Sequence, residues 1–337
     1  VLLVLAHLLW RRGTEQRLKP RLRRVPSRLR SAPGLIALAA LVMSTAAGAY
    51  IYYNTNILNE YQTQQELEKY QADYEKKYLR YENLPQPSVT HVKLDVALYP
   101  KETRAEISGE YRLENKAGVP IRQLHIRNMD QDLEIKDVEV EGARLASYDE
   151  EFDYRIFEFE KPMMPGETRT MTFRTQRWQQ GFRNSGQDTR LVRNGTFLAN
   201  YQIAPVIGMD RQGLLQDRSK RRKHGLPAEL RMPKLEDMSA TKKNYIGDWT
   251  TAEITVSTVA GQTPIAPGKK VSDVTRDGRR IAKFVSDAPI LNFFSIQSAR
   301  YEERHRQHDG VDLAVYYHPG HGRNVDRMLD ALEVSLD

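Results

Sequence analysis

The stretch HVKLDVALYPKETRAEISGEYRL, residues 91–113, indicates the fold class of this chain. Apolar side chains occupy alternate positions on both sides of a turn at Pro100-Lys101. Alternation of this kind buries one face of a strand and leaves the other in solvent, so it predicts two antiparallel strands. The alternating apolar positions are Val92, Leu94, Val96 and Leu98 before the turn and Ala105, Ile107, Tyr111 and Leu113 after it.

Similar patterns recur downstream and are separated by turn signals such as Pro165-Gly166 and Asp277-Gly278. Their spacing predicts a mainly β domain over residues 88–318, a β-sandwich or saddle-shaped sheet with few helices. The further strand candidates are 123–127, 133–141, 154–159, 169–175, 195–201, 251–258, 280–286, 293–301 and 311–317.

Residues 34–53, GLIALAALVMSTAAGAYIYY, contain no charged side chain. Twenty helical residues extend about 30 Å, which matches the hydrocarbon thickness of a bilayer. The tyrosines at its far end favour the membrane–water interface. The segment predicts a transmembrane helix. A cleaved signal peptide, suggested by the small residues at 46–49, and a buried core helix are the alternatives.

Charge predicts the orientation of this helix. Residues 11–30 contain nine Arg or Lys and one Glu, which is a net charge of +8. The net charge of the whole chain is +7, so the rest of the chain has a net charge close to −1. By the positive-inside rule residues 11–33 form a basic cytoplasmic loop, and residues 54–337 are extracytoplasmic at a bacterial inner membrane. The lack of cysteine fits a bacterial envelope protein. Nucleic acid is excluded as a partner, because the folded part has no basic excess.

The segments flanking the β domain also have predicted roles. Residues 1–10 are apolar and are expected to be the end of a truncated transmembrane helix. Residues 54–87 are expected to form an extracytoplasmic stalk helix, helical over 57–82, and a Pro linker. Its tyrosine stripe should pack on the following domain or on a partner helix. Residues 319–337 are expected to open the first helix of a truncated following domain.

Residue patterns for catalysis are weak. His305 and His308 lie in a charged connection between predicted strands, and His318 and His321 lie in a Pro-Gly turn. Neither pair has the H-E-x-x-H spacing of zinc hydrolases, so no metal ligand is assigned in this chain. No phosphate-binding or Ser-nucleophile motif is present. The basic run at 218–223 is expected to be a solvated part of a long surface excursion over 209–245, in which there is room for one short helix.

Residues 91–127 resemble the opening of the amino-terminal β domain of aminopeptidase N-like zinc metallopeptidases, which are gluzincins. The resemblance covers residues 88–337, and the segments 194–212 and 289–305 share it. The basic loop, membrane helix and stalk are similar to the branch that is fused to an ABC transporter permease. The family's aromatic-Pro-Cys-Phe-Asp-Glu-Pro phrase is replaced around Gly208-Met209-Asp210. The matching phrases are G-x-Y-x-L-x-N at Gly109, Tyr111, Leu113 and Asn115, and P-I-x-x-L at Pro120, Ile121 and Leu124.

The resemblance implies a membrane anchor and β domain for a zinc aminopeptidase that hydrolyses peptides. Zinc and the catalytic residues would belong to a following domain, so this chain holds no cofactor or catalytic residue of its own. Thr196 and Asn200 are the candidate substrate-binding residues. The implied partners are the lipid bilayer, the catalytic domain, the permease helices with their ATPase subunit, and a peptide substrate. The alternative is a non-catalytic extracytoplasmic binding or scaffold module of an ABC transporter permease.

Overall fold

The structure is a computed structural model, and it divides into two compact units. One unit comprises residues 1–62 with 180–187, and the other comprises residues 63–179 with 188–337. Most of the predicted truncated helix at 1–10, the start of the basic loop and much of 230–247 lie outside the described residues. The described residues are 6, 9–10, 17–23, 25–30, 32–186, 188–209, 211–229, 234, 236, 238 and 248–337.

The first unit contains the apolar helix. Two short helices, α1 (Leu18–Arg23) and α2 (Val25–Leu29), precede α3 (Ala32–Tyr52), which continues into a π-helical turn at Tyr53–Ile57. The continuous helix over Gly34–Ile57 is long and apolar enough to cross a membrane, and only 6% of its most apolar part is buried in the molecule. This exposure argues against a core helix. A signal sequence meets the same criterion of length and composition.

Helix α4 (Gln64–Tyr78) opens the second unit and continues as a 3₁₀ turn at Leu79–Tyr81. It begins later than the predicted 57–82 helix, which is wrong at its start. The reason is a capping box: Thr63 accepts from the backbone N–H of Glu66, and the Glu66 carboxylate accepts from the backbone N–H of Thr63 at 2.8 Å. Such a box fixes the first residue of a helix.

The tyrosine stripe of α4 packs on the β domain. This is one of the two predicted packing partners, the other being a partner helix. Tyr74 and Tyr78 share a buried cluster with Phe152 and Tyr154. The Tyr78 ring stacks on Tyr154 with a centroid separation of 4.0 Å. Aromatic burial of this kind holds the helix against strand β6 (Tyr154–Met163).

The predicted hairpin is confirmed as the centre of an eight-stranded sheet. Strands β1 (Ser88–Tyr99) and β2 (Arg104–Glu114) pair antiparallel, and β1 pairs parallel with β11 (Trp249–Val259). The path through the sheet is β13-β14-β11-β1-β2-β7-β4, and β15 joins β11. The other strands of this sheet are β4 (Leu133–Val140), β7 (Thr168–Trp178), β13 (Lys269–Arg276), β14 (Arg279–Val285) and β15 (Ile290–Leu291).

Three smaller sheets complete the strand set of the described residues, and the prediction of a mainly β fold is confirmed. Two are four-stranded, β10-β3-β6-β5 and β12-β16-β9-β8, and the last is the hairpin β17-β18. Their strands are β3 (Ile121–Arg127), β5 (Ala143–Asp149), β8 (Leu191–Val192), β9 (Gly195–Ala199), β10 (Val206–Ile207), β12 (Thr263–Ile265), β16 (Ser295–Ala299), β17 (Glu302–His308) and β18 (Val311–Tyr317).

One hydrophobic core joins the three larger sheets, because inward side chains of all three contribute to the same buried cluster. Burying side chains of this size contributes about 1.5–3 kcal/mol each. Another, smaller cluster lies under the helix α6 (Val325–Val334), where Val325 and Leu329 pack on Leu313 and Val315 of β18. The remaining short helix is α5 (Arg218–Lys223).

Candidate functional site

A cleft of about 100 Å³ opens beside the candidate residue Asn200. It lies where the middle of β2, the start of β1 and the chain following β9 meet. Its lining mixes aromatic and aliphatic side chains with several hydrogen-bonding groups, which is the usual make-up of a small binding cleft. The polar and ionisable groups that line the cleft are Tyr111, Asn200, Gln212, Asp248 and Asn292.

Asp248 supplies the carboxyl group of this cleft. The backbone N–H of Val89 donates to its Oδ2 at 3.2 Å, and the backbone N–H of Asn292 donates to its carbonyl oxygen at 2.9 Å. Burial raises the pKa of the Asp248 carboxyl above its ordinary value. The residue therefore ties two strands together and presents a carboxyl group that protonates more easily than a solvated one.

Tyr111 forms another wall of the cleft and belongs to the G-x-Y-x-L-x-N phrase. Its ring contacts Phe173 edge-to-face with centroids 4.9 Å apart. Burial raises the pKa of its hydroxyl, which stays neutral. Gly109, two residues earlier, lies under the same Phe173 ring, where an added Cβ would come within 2.1 Å of the ring Cζ. The phrase needs glycine at this position because the aromatic ring occupies the space.

Asn115, the last residue of the phrase, is buried and fastens the end of β2. Its Nδ2 donates to the carbonyl oxygens of Val119 at 2.8 Å and Met163 at 2.7 Å. Its Oδ1 accepts from the backbone N–H of Ala117 at 2.9 Å. All its hydrogen-bonding capacity is used inside the protein, so its role is to close the β2–β3 connection.

Asn200 follows β9 in a 3₁₀ turn at Asn200–Gln202, and the predicted strand 195–201 ends two residues earlier than expected. Its Nδ2 donates to the carbonyl oxygen and to Oδ1 of Asn292, both at 3.1 Å. The backbone N–H of Asn200 donates to the Phe294 carbonyl at 2.9 Å. The side chain thus reaches the cleft and is held against its opposite wall.

Thr196 lies on β9 with its side chain directed inward and is only 2% exposed. Among the described residues its Oγ1 has no hydrogen-bond partner. It pairs in register with Ser298 of β16, whose hydroxyl donates to Gln262 Oε1 at 2.8 Å and lies 3.0 Å from the Thr258 hydroxyl oxygen. Thr196 therefore sits beside a buried polar row, while Asn200 alone of the two predicted residues lines the cleft.

A buried ionic cluster near β7 was not foreseen from the sequence. Arg177 is buried and pairs with Asp130 and Asp132, at 2.5 and 3.1 Å, and with Asp188 at 2.5 Å. Arg190 pairs with Asp188 at 2.6 Å, and this contact lowers the pKa of the Asp188 carboxyl against the opposing effect of burial. These residues are separated by up to 60 positions in sequence, so no local spacing marks them.

The basic run at 218–223 forms the short helix α5, most of whose side chains are exposed, and the prediction of a solvated run is wrong at Arg221. Arg221 is buried and makes a bidentate pair with Glu75 of α4, both contacts at 2.7 Å. Lys220 and Lys223 pair with Glu68 on the same helix, at 2.9 and 3.3 Å. Three of the five basic side chains thus pair with acidic residues of α4, and Arg218 pairs with Glu229.

The histidine pairs give no zinc site of the hydrolase type. His305 and His308 lie on strand β17, so their placement in an irregular connection is wrong. In the described part of the chain, one group brings three possible metal ligands together: His308, Asp309 and Asp337. Two of the three are exposed, and the Asp337 carboxylate raises the pKa of His308. This favours the imidazolium form, which cannot bind a metal.

Comparisons with known proteins give matches among solved structures. No protein-family model matches the chain, and no curated protein matches it. Solved structures of M1 zinc metallopeptidases do match. A two-domain mutant bound to L-tryptophan superposes with a TM-score of 0.46 at 14% identity, over 76% of this chain and 56% of that one. The enzyme from Deinococcus radiodurans gives 0.45 at 12% identity, over 76% and 56%.

A mutant of the Deinococcus radiodurans enzyme bound to a Tyr-Ser-Ala substrate gives 0.45 at 12% identity, over 75% and 55%. The chain thus spans little more than half the length of these structures. The structural neighbours are therefore M1 zinc metallopeptidases, aminopeptidase N-like, matched at their amino-terminal domain and at low sequence identity. Likeness at this level concerns the fold and assigns no activity to the chain.

Proposed function

We propose that this chain is the membrane anchor and amino-terminal β domain of an aminopeptidase N-like zinc metallopeptidase linked to an ABC transporter permease. The observation that carries the proposal is the position of the G-x-Y-x-L-x-N phrase. Gly109 and Asn115 build the core around β2, and Tyr111 forms the wall of the cleft that Asn200 lines. A sequence resemblance thus coincides with a polar cleft.

The role of the domain is to form one wall of a peptide-binding cleft. The Asn200 amide, the neutral Tyr111 hydroxyl and the Asp248 carboxyl are groups that hydrogen-bond a peptide backbone in an extended conformation. Thr196 is buried on β9, the strand that precedes the turn carrying Asn200, and its role would be to position that turn. Peptide is the proposed substrate class because these groups offer both hydrogen-bond donors and an acceptor, and a peptide backbone, which is uncharged, can bond to both.

Zinc would be held by a following catalytic domain, through two His and one Glu, with another Glu acting on the attacking water. The residues of this chain do not fit such a site, because the described His308 group offers one imidazole and two carboxylates near the surface. When bound, zinc would polarise the scissile carbonyl and activate water. The contribution of this chain is to bind and orient the peptide.

Residues 34–53 are proposed as the anchor in the bacterial inner membrane, within the continuous helix over Gly34–Ile57. Twenty-four helical residues extend about 36 Å, enough to cross the hydrocarbon and enter the interface. The arginine-rich residues 11–33 would stay cytoplasmic, and residues 54–337 would be extracytoplasmic with the permease helices and ATPase subunit as partners. The division at 54–87 (stalk and linker), 88–318 (β domain) and 319–337 (start of the catalytic domain) belongs to the same proposal.

The experiment that tests this function is done on the full-length protein purified from membranes. We expect one zinc ion per molecule by atomic emission and release of amino-terminal residues from peptides. Asn200→Ala should raise KM several-fold with little change in kcat, because a lost ground-state contact weakens binding. Phe197→Ala is the matched control, since this neighbour on β9 is exposed and does not line the cleft. Absence of both zinc and peptidase activity would instead support the non-catalytic binding module.

A further inference from the structure

The segment 180–187, described over 180–186 and hereafter called the 180–187 turn, belongs to the same compact unit as the apolar helix. Its contacts are made to the outer end of that helix. The Phe182 ring lies 5.8 Å from the Tyr50 ring, between centroids. The Asn184 side chain donates to the Gln62 carbonyl at 2.8 Å. A segment more than 120 positions away in sequence therefore covers the end of the helix.

Asn59 is the centre of this contact. Its Nδ2 donates to the carbonyl oxygens of Gln180 at 2.8 Å and Phe182 at 3.4 Å, and also to that of Asn54 at 2.9 Å. Its Oδ1 accepts from Arg183 Nε at 3.2 Å. One asparagine thus satisfies backbone carbonyls on both the turn and the helix end, which fixes the turn in place without any regular secondary structure.

The turn approaches the helix so closely that it requires glycine. Gly181 has φ +58°, and an added Cβ would lie 2.2 Å from Asn54 Oδ1. Asn54 and Thr55 are both buried, although the helix before them is exposed along its length. Their side chains donate to carbonyls one turn back, at Tyr50 and Ile51. Polar groups at this end of the helix are therefore satisfied internally.

The depth of these contacts follows from the helix geometry, and it rests on the proposed membrane span. If the hydrocarbon begins at Gly34 and is about 30 Å thick, Tyr50 lies about 24 Å along the axis, near the outer boundary. The Phe182 ring, 5.8 Å from the Tyr50 ring between centroids, then lies within about 6 Å of that level. An aromatic ring near this boundary is placed as in the aromatic belts of membrane proteins, and the half-buried Arg183 beside it carries the charge that lipid phosphates attract.

We propose that the 180–187 turn is a second membrane contact, which inserts Phe182 into the headgroup–acyl boundary with Arg183 at the phosphates. The partner is the lipid surface itself, recognised by an apolar ring, a guanidinium group and continuity with the membrane helix. The anchoring of the protein would then use two segments far apart in sequence.

The absence of cysteine makes the test direct, since one introduced cysteine carries one label. A nitroxide is attached to Phe182→Cys in the full chain, reconstituted in phosphatidylethanolamine–phosphatidylglycerol vesicles. Collision rates with oxygen and with a water-soluble nickel chelate give its depth. Leu41→Cys, on the exposed face of the helix, reports the span, and Val271→Cys, exposed on β13, reports the β unit. A second variant, Phe182→Trp, keeps a ring at the position.

We expect the 182 label to be several-fold less accessible to the chelate than the 271 label. The extra fluorescence of Phe182→Trp over the parent should be quenched by lipids brominated near the headgroup. If the 41 label is buried in lipid but the 182 label is as accessible as the 271 label and the added tryptophan is unquenched, the turn proposal is wrong and the span stands. If the 41 label is accessible to the chelate, the span and the turn proposal both fail.

Discussion

Replacing Glu75 by alanine is the most demanding test of the packing between α4 and α5. The variant leaves the Arg221 guanidinium, 1% exposed, without its counter-charge. In the native chain that group donates twice to Glu75, and also to the carbonyls of Leu215 at 2.6 Å and Pro227 at 2.7 Å. An uncompensated buried charge costs about 3–5 kcal/mol.

The matched control is Asp73→Ala, two residues earlier on the same helix. Asp73 pairs with Lys69 at 2.7 Å, but the lysine side chain is 68% exposed. Exposed pairs four residues apart contribute only about 0.3–0.5 kcal/mol. Both variants remove one carboxylate from one helix, so the difference between them isolates the effect of burial.

The assay is urea unfolding of the full chain in detergent micelles, followed by tryptophan fluorescence. With an m-value of about 3 kcal/mol per M, Glu75→Ala should lower the midpoint by about 1 M or more, and Asp73→Ala by about 0.2 M or less. Combining Glu75→Met with Arg221→Met should recover at least half of the loss, since the unpaired charge is gone while the two carbonyls stay without a donor. Equal midpoints for the two single variants would refute the reasoning.

Two further predictions use the same unfolding assay. Gly109→Ala should destabilise the protein by about 1–3 kcal/mol because the added Cβ meets the Phe173 ring. The control Gly195→Ala, whose added Cβ would lie 3.5 Å from its nearest neighbour, should change stability by about 0.5 kcal/mol or less. Similar losses in the two variants would contradict this prediction. Burial lowers the pKa of His125 to about 4, from 6.5. The contribution of the neutral imidazole to the free energy of unfolding is therefore intact above pH 6.5. It is lost as the pH falls towards 4, at up to about 1.4 kcal/mol per pH unit. His125→Gln should reduce this slope and His318→Gln should not; an unchanged slope in His125→Gln would exclude a neutral buried imidazole.

The hairpin could be predicted because each of its strands has one buried face, and burial on one face leaves a period of two in the sequence. The same reason explains the missed strands. In β13 (Lys269–Arg276) seven of the eight residues are exposed, and in β17 (Glu302–His308) charged and polar side chains occupy every position. Such edge strands are held by backbone pairing to β14 and β18, which no side-chain pattern reports.

The candidate site shows a similar division. Asn200 could be placed at the cleft through a resemblance, but Asp248 could not, because its role depends on Val89 and Asn292, far from it in sequence. The burial of Arg221 could not be predicted for the same reason, since its acidic partner Glu75 lies about 150 positions earlier. The start of α4 was within reach of the sequence, because Thr63 and Glu66 have the spacing of a capping box.

The G-x-Y-x-L-x-N phrase is explained in this chain by packing. Gly109 makes room for a ring, and Asn115 closes a connection between strands. Neither residue touches the cleft, and Tyr111 reaches it only as one wall. A chain can therefore keep the phrase for its core whether or not a catalytic domain follows. It follows that Gly109→Ala should lower the stability of the full-length protein while leaving the zinc content per folded molecule unchanged. Asn200→Ala should instead weaken peptide binding while leaving the stability of the protein unchanged.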